Sequence, residues 1–126
     1  MVASYFIGID VSKETLDLAL LSGNEVKTSV QIANTVTAAK QAVKGLIKQF
    51  GFKVENAIFC MEHTGIYNNH LLTALQSLKA QIWLENPTQI KYSLGLQRGK
   101  NDCLDAKRIA LYAYKNRDNV KLWTAR

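Results

Sequence analysis

No stretch of this sequence is long and apolar enough to cross a bilayer. A membrane-spanning helix needs about 20 apolar residues, and the apolar runs here are short and interrupted. A basic, apolar leader is missing as well. Met1-Val2-Ala3-Ser4 leads straight into a strand-like segment, so export is not expected. Cysteine is scarce. Cys60 and Cys103 lack metal-ligand spacing and, without an export signal, read as free thiols in a reducing cytoplasm. Internal repeats and low-complexity segments are absent. Membrane proteins, disulfide-stapled secreted domains and cysteine-built metal sites are thereby set aside.

What is present is enough for one domain with a real core. The chain has 126 residues, 48% of them hydrophobic. Its net charge is +6, and the excess is unevenly placed. Up to residue 78 basic and acidic side chains cancel. Beyond it ten basic residues, Arg98, Lys100, Lys107 and Arg108 among them, face four acidic ones. A one-sided basic surface favours a polyanionic partner.

Ser4-Tyr5-Phe6-Ile7-Gly8-Ile9-Asp10 reads as a strand buried on both faces, hence central in a sheet. Thr15 to Leu21 alternates, with Leu16, Leu18 and Leu20 on one buried face. Ser22-Gly23-Asn24-Glu25 turns the chain, and Val26 to Ile32 alternates again with Val26, Thr28, Val30 and Ile32 together. Short connections make these three strands an antiparallel meander. Asn34 is the expected N-cap of a helix that buries Val36, Ala39, Val43, Leu46, Ile47 and Phe50 and stops at Gly51. Ala57 to Met61 is a second fully apolar strand, pairing in parallel after its crossover helix. Ile66 to Leu78 reads as a helix, Gln81 to Leu84 as a third parallel strand, and Pro87 to Ser93 as a short helix. After a polar, glycine-bearing stretch from Gly95 to Lys100, a long helix is expected from Asp102 to about Asn116. Residues 118–126 form an extended tail, with Val120, Leu122 and Trp123 apolar and nothing after them to pack on.

The carboxylates give this order its chemistry. Asp10 ends the central strand and Glu62 ends its parallel neighbour. Alone, Asp10 reads equally well as a turn cap. Asp102 and Asp105 stand one helical turn apart, and taken alone the pair reads first as a capping box complementing the helix dipole. Taken together the pattern is sharper. Three antiparallel strands, then helix, strand, helix, strand and helix, describe an α/β, ribonuclease H-like (RuvC-like) mixed five-stranded sheet with helices on both faces. In that layout the ends of the first and fourth strands are neighbours and the last helix packs across them. Four carboxylates gathered there repel one another unless cations sit among them. Hard oxygen donors suit Mg2+ or Mn2+. Two such ions roughly 3.5–4 Å apart can stabilise the attacking and leaving oxygens of a phosphodiester displacement. Arg98, Lys100, Lys107 and Arg108 are then placed to hold the phosphate backbone.

Three motifs, in order and at compatible spacing, carry a resemblance. Phe6-Ile7-Gly8-Ile9-Asp10-Val11-Ser12-Lys13, Met61-Glu62-His63-Thr64-Gly65-Ile66-Tyr67 and Lys100-Asn101-Asp102-Cys103-Leu104-Asp105-Ala106 resemble the N-terminal domain of the DEDD transposases, insertion-sequence recombinases related to the Piv DNA invertase. The resemblance runs from about Tyr5 to Trp123. It implies that Asp10, Glu62, Asp102 and Asp105 are a metal-binding catalytic tetrad. It also implies cleavage and joining of DNA strands as a mobile element moves. Family members carry a second, C-terminal domain with a serine in the chemistry, some are guided by a structured RNA, and the full-length protein is expected to be a homo-oligomer. By the same resemblance residues 1–117 are the catalytic domain, and 118–126 lead toward a second domain.

Neighbouring residues have plainer explanations. Ser12 and Lys13 shape a turn, His63 and His70 are surface histidines, and Tyr67 and Trp83 are packing residues. Trp123 reads as an anchor for a further domain. Two other functions fit the same outline. One is the ATP-binding lobe of a sugar-kinase or actin-like protein, although its phosphate loops carry more glycine than Asp10-Val11-Ser12-Lys13 does. The other is a non-catalytic nucleic-acid-binding module, whose binding falls steeply with salt and ignores Mg2+.

Overall fold

Seven residues, Tyr5–Val11, make the strand β1 on which the sheet is built. The computed structural model describes residues 3–93 and 105–124. β2 (Thr15–Ser22) and β3 (Glu25–Ala33) follow as an antiparallel meander, and β4 (Ala57–Glu62) and β5 (Gln81–Glu85) join in parallel on the other side. The order is β3-β2-β1-β4-β5, so β1 is central as its two-sided apolar pattern requires. Helices cover both faces: α1 (Val36–Phe50), α2 (Asn69–Ser77), α3 (Pro87–Ser93) and α4 (Ala106–Lys115). Among the described residues no helix is long and apolar enough to cross a membrane.

Alternation along the strands divides the core in two. Ile7, Ile9, Leu16, Leu18, Phe59 and Met61 face Ala39 and Val43 of α1 and Leu71 and Leu75 of α2. Phe6, Leu21, Ile58, Cys60 and Trp83 face Ile109, Ala110, Tyr112 and Ala113 of α4. Burying each large apolar side chain contributes roughly 1.5–3 kcal/mol, so both helical layers are anchored by the sheet rather than by their own propensity.

Several local expectations change. β2 is buried on both faces, because α4 covers Ala19 and Leu21 as well. In β3 the register shifts between Leu20 and Leu21, so Thr28 pairs with Leu20 but Val26 with Leu21. This irregularity turns Val26 onto the opposite face from Thr28 and Val30. The N-cap of α1 is Thr35, whose side chain accepts the Ala38 N–H at 3.1 Å. Asn34 is buried instead, its amide drawn inward by two backbone carbonyls. Ile66–Asn68 is a 3₁₀ turn before α2. The last helix begins at Ala106, with Asp105 as its cap; Asp102 and Cys103 lie outside the described residues. The tail folds back. A 3₁₀ turn spans Arg117–Asn119, Val120 packs on the α4-side core, and Trp123 packs on the other while its N–H donates to the Ile82 carbonyl at 2.7 Å.

Candidate functional site

Strand register alone brings carboxylates from distant parts of the chain into one row. Asp10 pairs directly with Asp17 across β1 and β2. Ile9 is level with Met61 in the parallel pair, so Asp10 and Glu62 are the next residues along neighbouring strands. Glu62 is level with Glu85. Alternation puts all four on the α4 side of the sheet, with strands about 4.8 Å apart.

The last helix adds a fifth. Gly8, two residues before Asp10 and on the same face, has no side chain because α4 occupies its place. A Cβ there would stand 2.1 Å from the Ala106 carbonyl oxygen and 2.3 Å from the Ala110 nitrogen. α4 therefore rests directly on the β1 backbone, and Asp105, the residue before Ala106, is carried toward Asp10. One Asp105 oxygen caps the helix by accepting the Arg108 N–H at 2.9 Å. The cap of this helix, expected at Asp102, is Asp105.

Electrostatics register the crowding. Asp10 titrates above its ordinary value, first because it is partly buried and then because Asp17 and Asp105 repel its charge. Glu62 is raised by burial and by Asp10, against a lowering from Lys91 on α3. No hydrogen bond joins the Asp10 or Glu62 carboxylate to another described residue. Asp17 is partly relieved by the Gln31 amide at 3.0 Å. A groove of about 330 Å³ opens beside α4, lined by Asp10, Asp17, Ser29, Gln31, Asp105 and Lys107 among others.

The loops carrying these groups are braced by two buried asparagines. Asn34 donates to the Ser12 carbonyl at 2.7 Å and to the Tyr67 carbonyl at 3.0 Å, joining the loop after Asp10 to the loop after Glu62. Its Oδ1 is buried without a partner among the described residues. Asn68 donates to the Glu62 carbonyl at 3.1 Å and accepts the Thr64 N–H at 2.7 Å and hydroxyl at 2.9 Å. Sequence reasoning missed Asn68, and it missed the strut made by Asn34. It also passed over Gly8 and Glu85, though each left a signal. A glycine inside an apolar strand marks close backbone approach, and Glu85 repeats the strand-end carboxylate a third time.

Of the residues expected to contact nucleic acid, Lys107 is exposed on the groove and Arg108 is half-buried on α4. Arg98, Lys100 and Asp102 lie outside the described residues. His63 and His70 are exposed, Trp83 is buried, and Tyr67 is at the surface. Among the described residues no group of three His, Cys, Asp or Glu side chains is gathered tightly enough to hold a metal ion. The donor chemistry nevertheless fits a hard cation: two strand-end carboxylates with no hydrogen bond to another described residue, a third at the helix cap, and mutual repulsion that a cation relieves.

Comparisons with known proteins follow the same line. A family model for DEDD transposases of the IS110 group, described as a transposase, matches residues 7–125. No curated protein matches the chain. Among solved structures, T. thermophilus RuvC in complex with a Holliday junction substrate is similar at 16% identity and a TM-score of 0.65, over 94% of this chain and 99% of that one. Another Thermus thermophilus RuvC structure gives 15% identity with the same score and coverage. A Bacteroides thetaiotaomicron protein with an actin-like ATPase fold and unknown function gives 14% identity and a TM-score of 0.58, over 77% of this chain and 39% of that one. At these identities the likeness is one of fold: the sheet and its helices are RuvC-like.

Proposed function

The chain belongs to the DEDD transposase family, and from that premise we propose that it performs metal-dependent cleavage and transfer of DNA strands for a mobile element. Asp10, Glu62 and Asp105, with Asp102, are the carboxylates that hold Mg2+ or Mn2+ in this reading, and two ions are expected. The observation that supports it is that Asp10 and Glu62 leave adjacent strands on the α4 side of the sheet while Asp105, at the start of α4, lies near enough to Asp10 to repel its charge. Two of the three come by register, and the third by the seating of α4 on Gly8.

When bound, the cations stabilise the attacking and leaving oxygens of a phosphodiester. The chain's own residues do the rest. Asp10 and Glu62, raised by burial and like charge, would release their residual protons to solvent on holding a divalent ion, so binding would strengthen as pH rises. Asn34 and Asn68 hold the two loops against the load of bringing like charges together. Lys107 and Arg108, with Arg98 and Lys100, hold the backbone of DNA, the proposed partner. The proposed assembly adds the second domain with its serine that the family resemblance implies, further copies of the chain and, as in some family members, a structured RNA. The catalytic domain in this reading is residues 1–117, with Val120 and Trp123 of the following segment packed back on it.

The test is excision of the element by the intact recombinase, with and without Mg2+. Asp10→Asn and Glu62→Gln should each lower the rate by about 10²-fold or more, and chelation should abolish it. Wild-type rates in either variant would overturn the assignment.

A further inference from the structure

Three parallel strands end in a carboxylate on the same face, and the third is held differently from the others. Asp10 and Glu62 have no hydrogen bond from the described residues. Glu85 is nearly saturated. Its Oε2 accepts the Tyr112 hydroxyl at 2.9 Å and the Trp83 Nε1–H at 3.2 Å, and its Oε1 accepts the Asn86 N–H at 3.0 Å. A carboxylate offers about four lone-pair sites. With three in use, Glu85 is a poor ligand and a good strut.

What it holds is α4. Tyr112 is buried, its ring 5.3 Å from that of Trp83, and burial together with Glu85 raises its phenol, which keeps it protonated and donating. It stands seven residues past Asp105, about two turns or 10 Å along the helix. Near its start α4 touches β1 over Gly8. The glycine contact locates the helix, and the apolar packing of Ile109, Ala110 and Ala113 holds it on the sheet without fixing its roll by a directional bond. The Tyr112–Glu85 bond is a second anchor, two strands away on β5, and a charge-assisted one. Two anchors on different strands set the roll of the helix and so the place of its cap.

We propose that Glu85 is a positioning residue for the acidic site. Through Tyr112 it seats α4, and hence Asp105 beside Asp10, without itself binding the cation. The inference rests on the reading that Asp10 and Asp105 hold a divalent metal.

Mn2+ titration calorimetry on the chain, with each variant's melting followed in parallel, separates the possibilities. Tyr112→Phe removes only the hydroxyl. Glu85→Gln keeps an acceptor oxygen toward Tyr112 and Trp83 while removing the charge and the acceptor of the Asn86 N–H. Tyr112→Phe, still folded, should bind Mn2+ about 10-fold more weakly, the lower end of what lost outer partners cost. Glu85→Gln should stay within about threefold of wild type, since the strut survives. Unchanged Mn2+ affinity in Tyr112→Phe would make the bond merely structural. A loss in Glu85→Gln equal to that in Glu62→Gln would make Glu85 a ligand. Either result overturns the proposal. A crystal structure of Tyr112→Phe tests the seating without metal. Asp105 displaced relative to Asp10 by more than about 0.5 Å supports it, and an unmoved Asp105 overturns it. Failure of the underlying reading looks different: wild type would then bind no Mn2+, or Asp10→Asn would bind it as tightly as wild type, while the crystal comparison still decides the role of Glu85.

Discussion

Adding one methyl group at Gly8 should damage both the fold and the acidic site. The new Cβ would lie 2.1 Å from the Ala106 oxygen, 2.3 Å from the Ala110 nitrogen and 2.9 Å from the Ala110 Cα. All three are backbone atoms, so no side chain can swing away. Reaching even 3.0 Å requires α4 to retreat by about 1 Å, and a gap of that size forfeits a quarter to a half of each dispersion contact. The contacts at stake are those of Ala106, Ile109, Ala110, Tyr112 and Ala113, all buried against the sheet. Overpacking a core costs typically about 1–3 kcal/mol, and a lifted helix belongs at the upper end. About 3 kcal/mol is a large part of an ordinary domain's stability. It corresponds to a fall of roughly 10 °C in melting temperature.

The assay is a pair of thermal melts and Mn2+ titrations, with Gly45→Ala as the control. Gly45 is exposed on α1 and a Cβ there meets nothing within 4 Å. Alanine at this mid-helix position should therefore stabilise by about 0.5–1 kcal/mol. Gly8→Ala should melt lower and bind Mn2+ at least about 10-fold more weakly, because Asp105 moves with the helix. If Gly8→Ala matched wild type in both melting and Mn2+ affinity, the seating of α4 on β1 would be wrong, and with it the route by which Asp105 reaches Asp10.

Two other outcomes follow from the same geometry. Asp10 and Glu62 titrate above their ordinary 3.8 and 4.5 in the fold, so the folded chain keeps protons that the unfolded chain has already released. Their contribution to the stability of the metal-free protein is therefore fully present in acid and is lost as pH rises through the raised values. In chelator at neutral pH, Asp10→Asn and Glu62→Gln should melt above wild type, and added Mn2+ should reverse the order; lower melting in chelator refutes the repulsion. Asn34→Ala removes the donor shared by the Ser12 and Tyr67 carbonyls and should cost about 2 kcal/mol in urea melts, against about 1 kcal/mol for loss of the cap in Thr35→Ala. Equal losses would mean that Asn34 does not brace the two loops.

Much was legible in the sequence because it is written in local periodicity. An apolar run on both faces marks β1 and β4 as interior strands, and their order with the intervening helix makes them parallel neighbours. Once both strands are in one sheet, Asp10 and Glu62 at their ends meet by geometry. The bounds of α1 and its left-handed stop at Gly51 follow from spacing and one glycine. The charge bias toward the last third is simple counting. What tertiary structure decided is every feature that needs two distant segments to touch. Asn34 is a strut and not a cap because the Ser12 and Tyr67 carbonyls converge on it. Asp105 approaches Asp10 because α4 fills the space where Gly8 has no side chain. Glu85 is occupied, while Glu62 has no hydrogen bond to its carboxylate among the described residues, because Tyr112 reaches one and not the other. A polar side chain's role depends on which donors surround it, and in a folded chain those donors come from residues that no local spacing relates to it.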